Sequence, residues 1–243
     1  MNTEATHTEA TKSPWWLALR VLDEPRRVFQ ELAARPRALV PIILLVLVAA
    51  LVAVGTPGEA LEATAQMQAD AFGDRLDAEA RQQMVDRAAS PLNRVFIFGG
   101  WTVFGVVSLA IVAVVLMLIL GATSSEQLKF KDEFAIATHA FVPQLAGGVL
   151  AVILMRVAGM HEFANPATNP LSLGFLVGEE TSPFLHRFAN GITLFGAWNV
   201  YLLALGNQVK TRAASITGPL FIVGGLWLLL KVGFAAVGGL FGG

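Results

Sequence analysis

The sequence predicts an all-α fold, a polytopic membrane bundle of five transmembrane helices with the N-terminus inside and the C-terminus outside. An amphipathic N-terminal segment precedes the bundle. Three observations carry this reading. The 243 residues are 55% hydrophobic and only 14% charged, with a mean hydropathy of +0.62, whereas soluble domains average about 25% charged residues. Five long apolar runs recur, at 38–54, 95–120, 134–158, 188–206 and 216–237, and roughly 20 such residues cross a ~30 Å hydrocarbon core. Lysine and arginine gather in alternate connecting segments, which is the pattern that sets orientation.

Residues 1–13 are polar and rich in Thr, Glu and Ala, a composition expected of a disordered tail. Segment 14–37 is read as cytoplasmic or interfacial amphipathic helices. Ser13-Pro14 supplies an N-cap and a proline at the first helical position. Trp15 and Trp16 follow, with Leu19 and Leu22. Trp favours the boundary between membrane and water, so both are candidate interface anchors; a helix of a soluble domain is the alternative. Farther on, Val28, Phe29 and Leu32 share one helical face, and Pro36 ends that helix at or before Arg35. Five arginines (20, 26, 27, 35 and 37) precede the first run. A signal peptide is not expected, because its basic region and its apolar core are both shorter than these.

With the N-terminus inside, segments 1–37, 121–133 and 207–215 hold ten Lys and Arg, and segments 55–94 and 159–187 hold five. Loop 55–94 carries Leu61, Ala65, Ala69, Phe72, Leu76 and Ala80 at helical spacing, with Gly73 as the expected interruption. Loop 159–187 contains Asn165-Pro166, Asn169-Pro170 and Ser182-Pro183, so it is expected to be irregular. Residues 238–243 form a Gly-rich tail. No internal repeat relates the five runs, which gives no support to an inverted-repeat transporter.

The third run, 134–158, follows the charged cluster Lys129, Lys131, Asp132 and Glu133, read as its flank, and encloses His139, Pro143 and Gln144. His139 lies about 8 Å into its helix at ~1.5 Å per residue, and Asn199 on the antiparallel fourth run has a matching depth. The two are candidates for a polar contact across a helix pair. Lys231 and Asn190 match in depth in the same way; Lys231 snorkelling outward along its aliphatic stem is the alternative. Arg156 is read as an interface anchor. Pro143 removes a backbone donor and predicts a kink, while Gly147 and Gly148 permit a close neighbour.

Several function classes are excluded or disfavoured. No Cys is present, which rules out disulfides, iron–sulfur clusters and thiolate zinc sites. No basic cluster interleaved with aromatics points to nucleic acid. No Asp or Glu falls within the five runs, although proton-coupled carriers commonly use such relays. Ser108 and His139 are about 10 Å apart in depth at ~1.5 Å per residue, too far for a nucleophile and its base. His161-Glu162 lacks the second His of a zinc-protease helix, and no Gly-rich phosphate loop occurs. A non-enzyme without cofactor or metal is the resulting expectation.

Three stretches together resemble the Yip family, the Ypt-interacting-protein membrane domain, in its bacterial form. They are Pro25-Arg26-Arg27-Val28-Phe29 with Arg35-Pro36-Arg37 and Pro41; the start of the third run from Phe130 to Pro143; and Phe195-Gly196-Ala197-Trp198-Asn199-Val200-Tyr201 continuing to Gly206. The resemblance implies five spans with a cytoplasmic N-terminus and offers no catalytic residues. Eukaryotic relatives bind Rab-type GTPases, and some bacterial relatives look like accessory subunits beside ABC-type efflux systems. The implied role is a membrane scaffold or adaptor in the bacterial cytoplasmic membrane, in contact with the bilayer and with a membrane-protein partner or a second copy. A small carrier or channel using His139 and Lys231 is the alternative.

Overall fold

Helix α1 (Pro14–Arg20) and helix α2 (Pro25–Ala34) each begin with proline, whose missing N–H costs nothing in the first turn. This computed structural model describes residues 13–157, 159, 171–177 and 182–241. The expectations for 1–12, 158, 160–170, 178–181 and 242–243 lie outside the described residues. Val28, Phe29 and Leu32 are the buried face of α2, as their spacing predicts, and the helix ends at Ala34, two residues before Pro36. That face does not rest on lipid. With Leu17 of α1 and Val21 just after it, that face joins the main core beside Ile136, Ala137, Leu202 and Leu205.

Helix α3 (Leu39–Gly55) is followed, after a 90° bend at Thr56-Pro57, by α4 (Gly58–Ala71). A short 3-10 turn (Gly73–Arg75) and α5 (Ala78–Ala88) complete the first long connection. Gly73 adopts φ +53°, a left-handed conformation that breaks the helix where the sequence places the interruption. Arg81 donates to the carbonyls of Gly73 and Leu76, and the Asp77 carboxylate caps Ala80 N–H at 2.7 Å. Helix α6 (Pro91–Thr123) spans 33 residues, about 50 Å at ~1.5 Å per residue, so it projects beyond the hydrocarbon core.

The third run begins four residues earlier than expected, as α7 (Phe130–Ala140), and continues as α8 (Val142–Val157). After a short α9 (Gly174–Val177), the fourth run proves to be divided. Helix α10 (Pro183–Asn190) ends, the chain turns through Gly191-Ile192-Thr193, and α11 (Leu194–Thr211) starts under a Thr193 cap. The Thr193 hydroxyl takes Gly196 N–H at 3.0 Å, and an isolated bridge ties Thr193 to Ser172. A hydroxyl that satisfies a new helix start, next to a glycine, divides what hydropathy alone joins. Helix α12 (Thr217–Phe241) runs through most of the expected Gly-rich tail.

Three described helices are long and apolar enough to cross a membrane: Pro91–Thr123, Phe130–Val157 and Thr217–Ala236, with the bent pair Leu39–Gly55 and Gly58–Asp70 making up to four. Helix α11 is not among them, because Asn199, Asn207, Gln208 and Lys210 dilute its hydropathy. Of the three windows, that of Phe130–Val157 is 33% buried and the other two 17%, so α7–α8 is the central element. Gly147 admits the Phe195 ring, which would lie 2.6 Å from an added Cβ, and Gly206 admits Ile136 in the same way at 2.5 Å.

Candidate functional site

The break between α7 and α8 is built by Pro143. Proline has no N–H to offer His139 O, and Gln144 N–H turns to Phe141 O at 2.9 Å rather than to Ala140 O. Two carbonyls are thereby released in an apolar setting, where an unmet acceptor is costly. Asn199 on α11 donates its side-chain N–H to Ala140 O at 2.7 Å. His139 is buried and bonds through Nδ1 to Ala135 O of its own helix at 2.9 Å. The expected side-chain pair between His139 and Asn199 is therefore replaced: helices three and four of the sequence reading meet at this level, but Asn199 binds backbone one residue beyond His139.

Below this joint lies a polar junction that the flank reading of Asp132 and Glu133 misses. Both carboxylates sit in the first turn of α7, where the helix dipole favours negative charge. Asp132 Oδ2 pairs with Lys210 Nζ of α11 at 3.0 Å, and that ammonium also reaches Ala33 O of α2 at 3.5 Å. Lys210 thus links three helices. Glu133 is 0% exposed beside Asn207, Asp132 and Lys210, and neither of its oxygens has a hydrogen-bond partner. Asn207, also 0% exposed, donates to Leu203 O at 2.9 Å and leaves its own Oδ1 unmet. One signal for this junction was available. Glu133, Ala137 and Ala140 follow helical spacing, so the buried stripe of α7 extends back to the acid.

The second expected pair also resolves into separate partners. Lys231 stands over the Trp227 ring at 5.7 Å, one turn back on α12, and its stem passes Gly191. Asn190 Oδ1 accepts from Ser172 Oγ at 3.5 Å. Arg156 donates to Gly55 O at 2.6 Å and to Val54 O at 3.3 Å, holding the C-terminal end of α3 from an exposed position. Trp15 is exposed, whereas Trp16 is half-buried with Arg20 and Arg27 over its ring at 5.8 and 5.6 Å. Gly148 faces Val48 and Val52 of α3 at ordinary contact distance. Among the described residues no group of three or more acids and histidines is placed to hold a metal.

The arrangement does one thing chemically: polar groups of one helix satisfy backbone or charge on another. Its residues fall inside a wider match. The family described as the Yip1 domain matches residues 19–237, from the end of α1 to the far part of α12. The chain belongs to the Yip1 family. No curated protein and no solved structure matches it. As a Yip1 protein with apolar, outward-facing helices, it is an integral membrane protein whose surroundings are a lipid bilayer. Within this Yip1 chain, α2, α7 and α11 form the shared base, and the Pro143–Asn199 joint stands directly above it.

Proposed function

We propose that this Yip1 protein is a non-enzymatic membrane scaffold or adaptor that serves as an accessory subunit of a membrane transport complex. The proposal includes five spans, a cytoplasmic N-terminus and a bacterial cytoplasmic membrane, the orientation resting on the excess of Lys and Arg in 1–37, 121–133 and 207–215. One observation carries the adaptor reading. Helix α2 is sunk into the base of the bundle through Phe29, whose ring lies 3.0 Å from where a Gly206 Cβ would stand, so Arg26 and Arg27 face outward on a rigidly held surface. A basic face fixed to a membrane bundle suits an acidic surface of a neighbouring protein.

The carrier reading has less support, because His139 bonds within its own helix and Lys231 covers Trp227. The test is charge reversal. Arg26→Glu is expected to weaken recovery of membrane partners cross-linked in native membranes, with the thermal midpoint of the protein unchanged. Flux of ions or solutes through liposomes that contain only the purified protein, lost on replacing His139 or Lys231, would instead establish the carrier.

A further inference from the structure

A cavity of about 440 Å³ lies between α3, α6, α8 and α11, within the ~300–1,000 Å³ range of ligand pockets. Its walls are mainly apolar, with Leu45, Val48, Phe98, Gly105 and Leu145 among them, and Asn199 also lines it. On α8 the lining runs from Gln144 to Gly148, and on α6 from Phe98 to Val112, about 21 Å at ~1.5 Å per residue. The shape is an elongated slot, apolar along its length.

Two cations lie beyond the upper end of the slot. On α6, Arg94 sits one turn before Phe98; on α8, Arg156 sits two turns after the slot residue Gly148. Both guanidinium groups converge on the end of α3, Arg94 donating through Nη1 to Ala53 O and Thr56 O at 2.7 Å, and Arg156 to Gly55 O and Val54 O. Carbonyl acceptors leave the charge in place. Among the described residues neither arginine forms an ion pair, and Arg94 Nη2 and Arg156 Nη1 make no hydrogen bond, so each keeps one nitrogen able to donate. Glu62 is a neighbouring acid that forms no ion pair with Arg94: an added Gly58 Cβ would lie 3.8 Å from Arg94 Nη2 and 3.9 Å from Glu62 Oε1. Arg156 is exposed and has no such neighbour among the contacts described.

We propose that this slot holds one acyl chain of an anionic phospholipid, with the lipid phosphate at Arg94 and Arg156. An apolar chain matches the walls, and a phosphate matches two guanidinium groups held at one level, each offering the one nitrogen that its carbonyl bonds leave over. The site is independent of the adaptor reading, since its residues lie away from the α2 face.

The test is native mass spectrometry of the purified full-length protein in detergent with phosphatidylglycerol or phosphatidylcholine of identical chains. Phosphatidylglycerol is expected to be retained preferentially. Arg156→Gln is expected to weaken that retention about five-fold and the double variant with Arg94→Gln about 25-fold, on the scale of one anionic-lipid contact per basic residue, while Arg156→Lys retains most of it. Gly105→Phe, which fills the slot and keeps both charges, is expected to lose the bound lipid. Equal retention of the two lipids, no effect of Arg156→Gln, or displacement of the lipid by inorganic phosphate alone would overturn the proposal. Arg156 is exposed, so its variant decides the matter even where Gly105→Phe fails to fold.

Discussion

Glu133 brings a carboxylate with no hydrogen-bond donor into the protein interior, next to an Asn207 oxygen that is equally unmet. An acceptor left unmet in a dry site costs free energy that a donor would recover. Glu133→Gln supplies that donor at nearly the same shape. It is expected to stabilise the folded protein by about 1 kcal/mol, the net worth of one hydrogen bond, read as a rise in the thermal midpoint in detergent. A fall of similar size would show that the charge itself is needed. The neighbouring pair predicts the opposite sign. Lys210→Met strips Asp132 of its buried partner and frees Ala33 O, and losing one member of a buried ion pair costs roughly 3–5 kcal/mol. The lower figure is expected here, because the Lys210 side chain keeps 17% of its exposure. Unfolding of the two variants in parallel separates a charge held for stability from one that is merely tolerated.

At the scale of elements, the Pro143 break and the Asn199 bond are one device, and a double-mutant cycle exposes it. Asn199→Leu removes the donor to Ala140 O and is expected to cost about 0.6–2 kcal/mol, the range for polar contacts between membrane helices. Pro143→Ala restores an N–H to the helix and lets Gln144 N–H return to Ala140 O. In that background Asn199→Leu should cost markedly less, and strictly additive losses would show that the two are uncoupled. Much of this region was legible in advance. The kink follows from proline chemistry, the buried face of α2 from the spacing of Val28, Phe29 and Leu32, and the break at Gly73 from glycine in a helical pattern. What hydropathy could not show has a common cause. The division at Gly191-Ile192-Thr193 depends on a hydroxyl cap, and the buried Asp132 and Glu133 depend on Lys210 and Asn207 about 75 residues away in sequence. Depth matching placed Asn199 beside the right turn of α7, but it cannot tell a side-chain partner from a released carbonyl.

For the whole molecule, the open choice is how many times the chain crosses the bilayer, and two elements decide it. Helices α3 and α4 form a pair bent by 90°, which suits either a span followed by a surface helix or a re-entrant loop. Helix α11, 18 residues long and polar towards its C-terminal end, suits either a short span or a segment buried among its neighbours. The chain has no Cys, so each engineered one is a unique reporter. Gln30, Gln82, Ser125, Ser182 and Ser215 are placed at successive turns of the predicted topology, Gln30, Gln82, Ser125 and Ser215 being exposed like Ser182. Five spans predict that a membrane-impermeant maleimide added from outside labels Gln82→Cys and Ser182→Cys, and leaves Gln30→Cys, Ser125→Cys and Ser215→Cys unlabelled until the membrane is opened. A re-entrant α3–α4 pair would instead place Gln82→Cys on the side of Gln30→Cys. An α11 that stays on one side would place Ser182→Cys with Ser215→Cys. The charge pattern favours the first outcome, because the five arginines ahead of α3 and the pair Lys210 and Arg212 after α11 then share the inner surface.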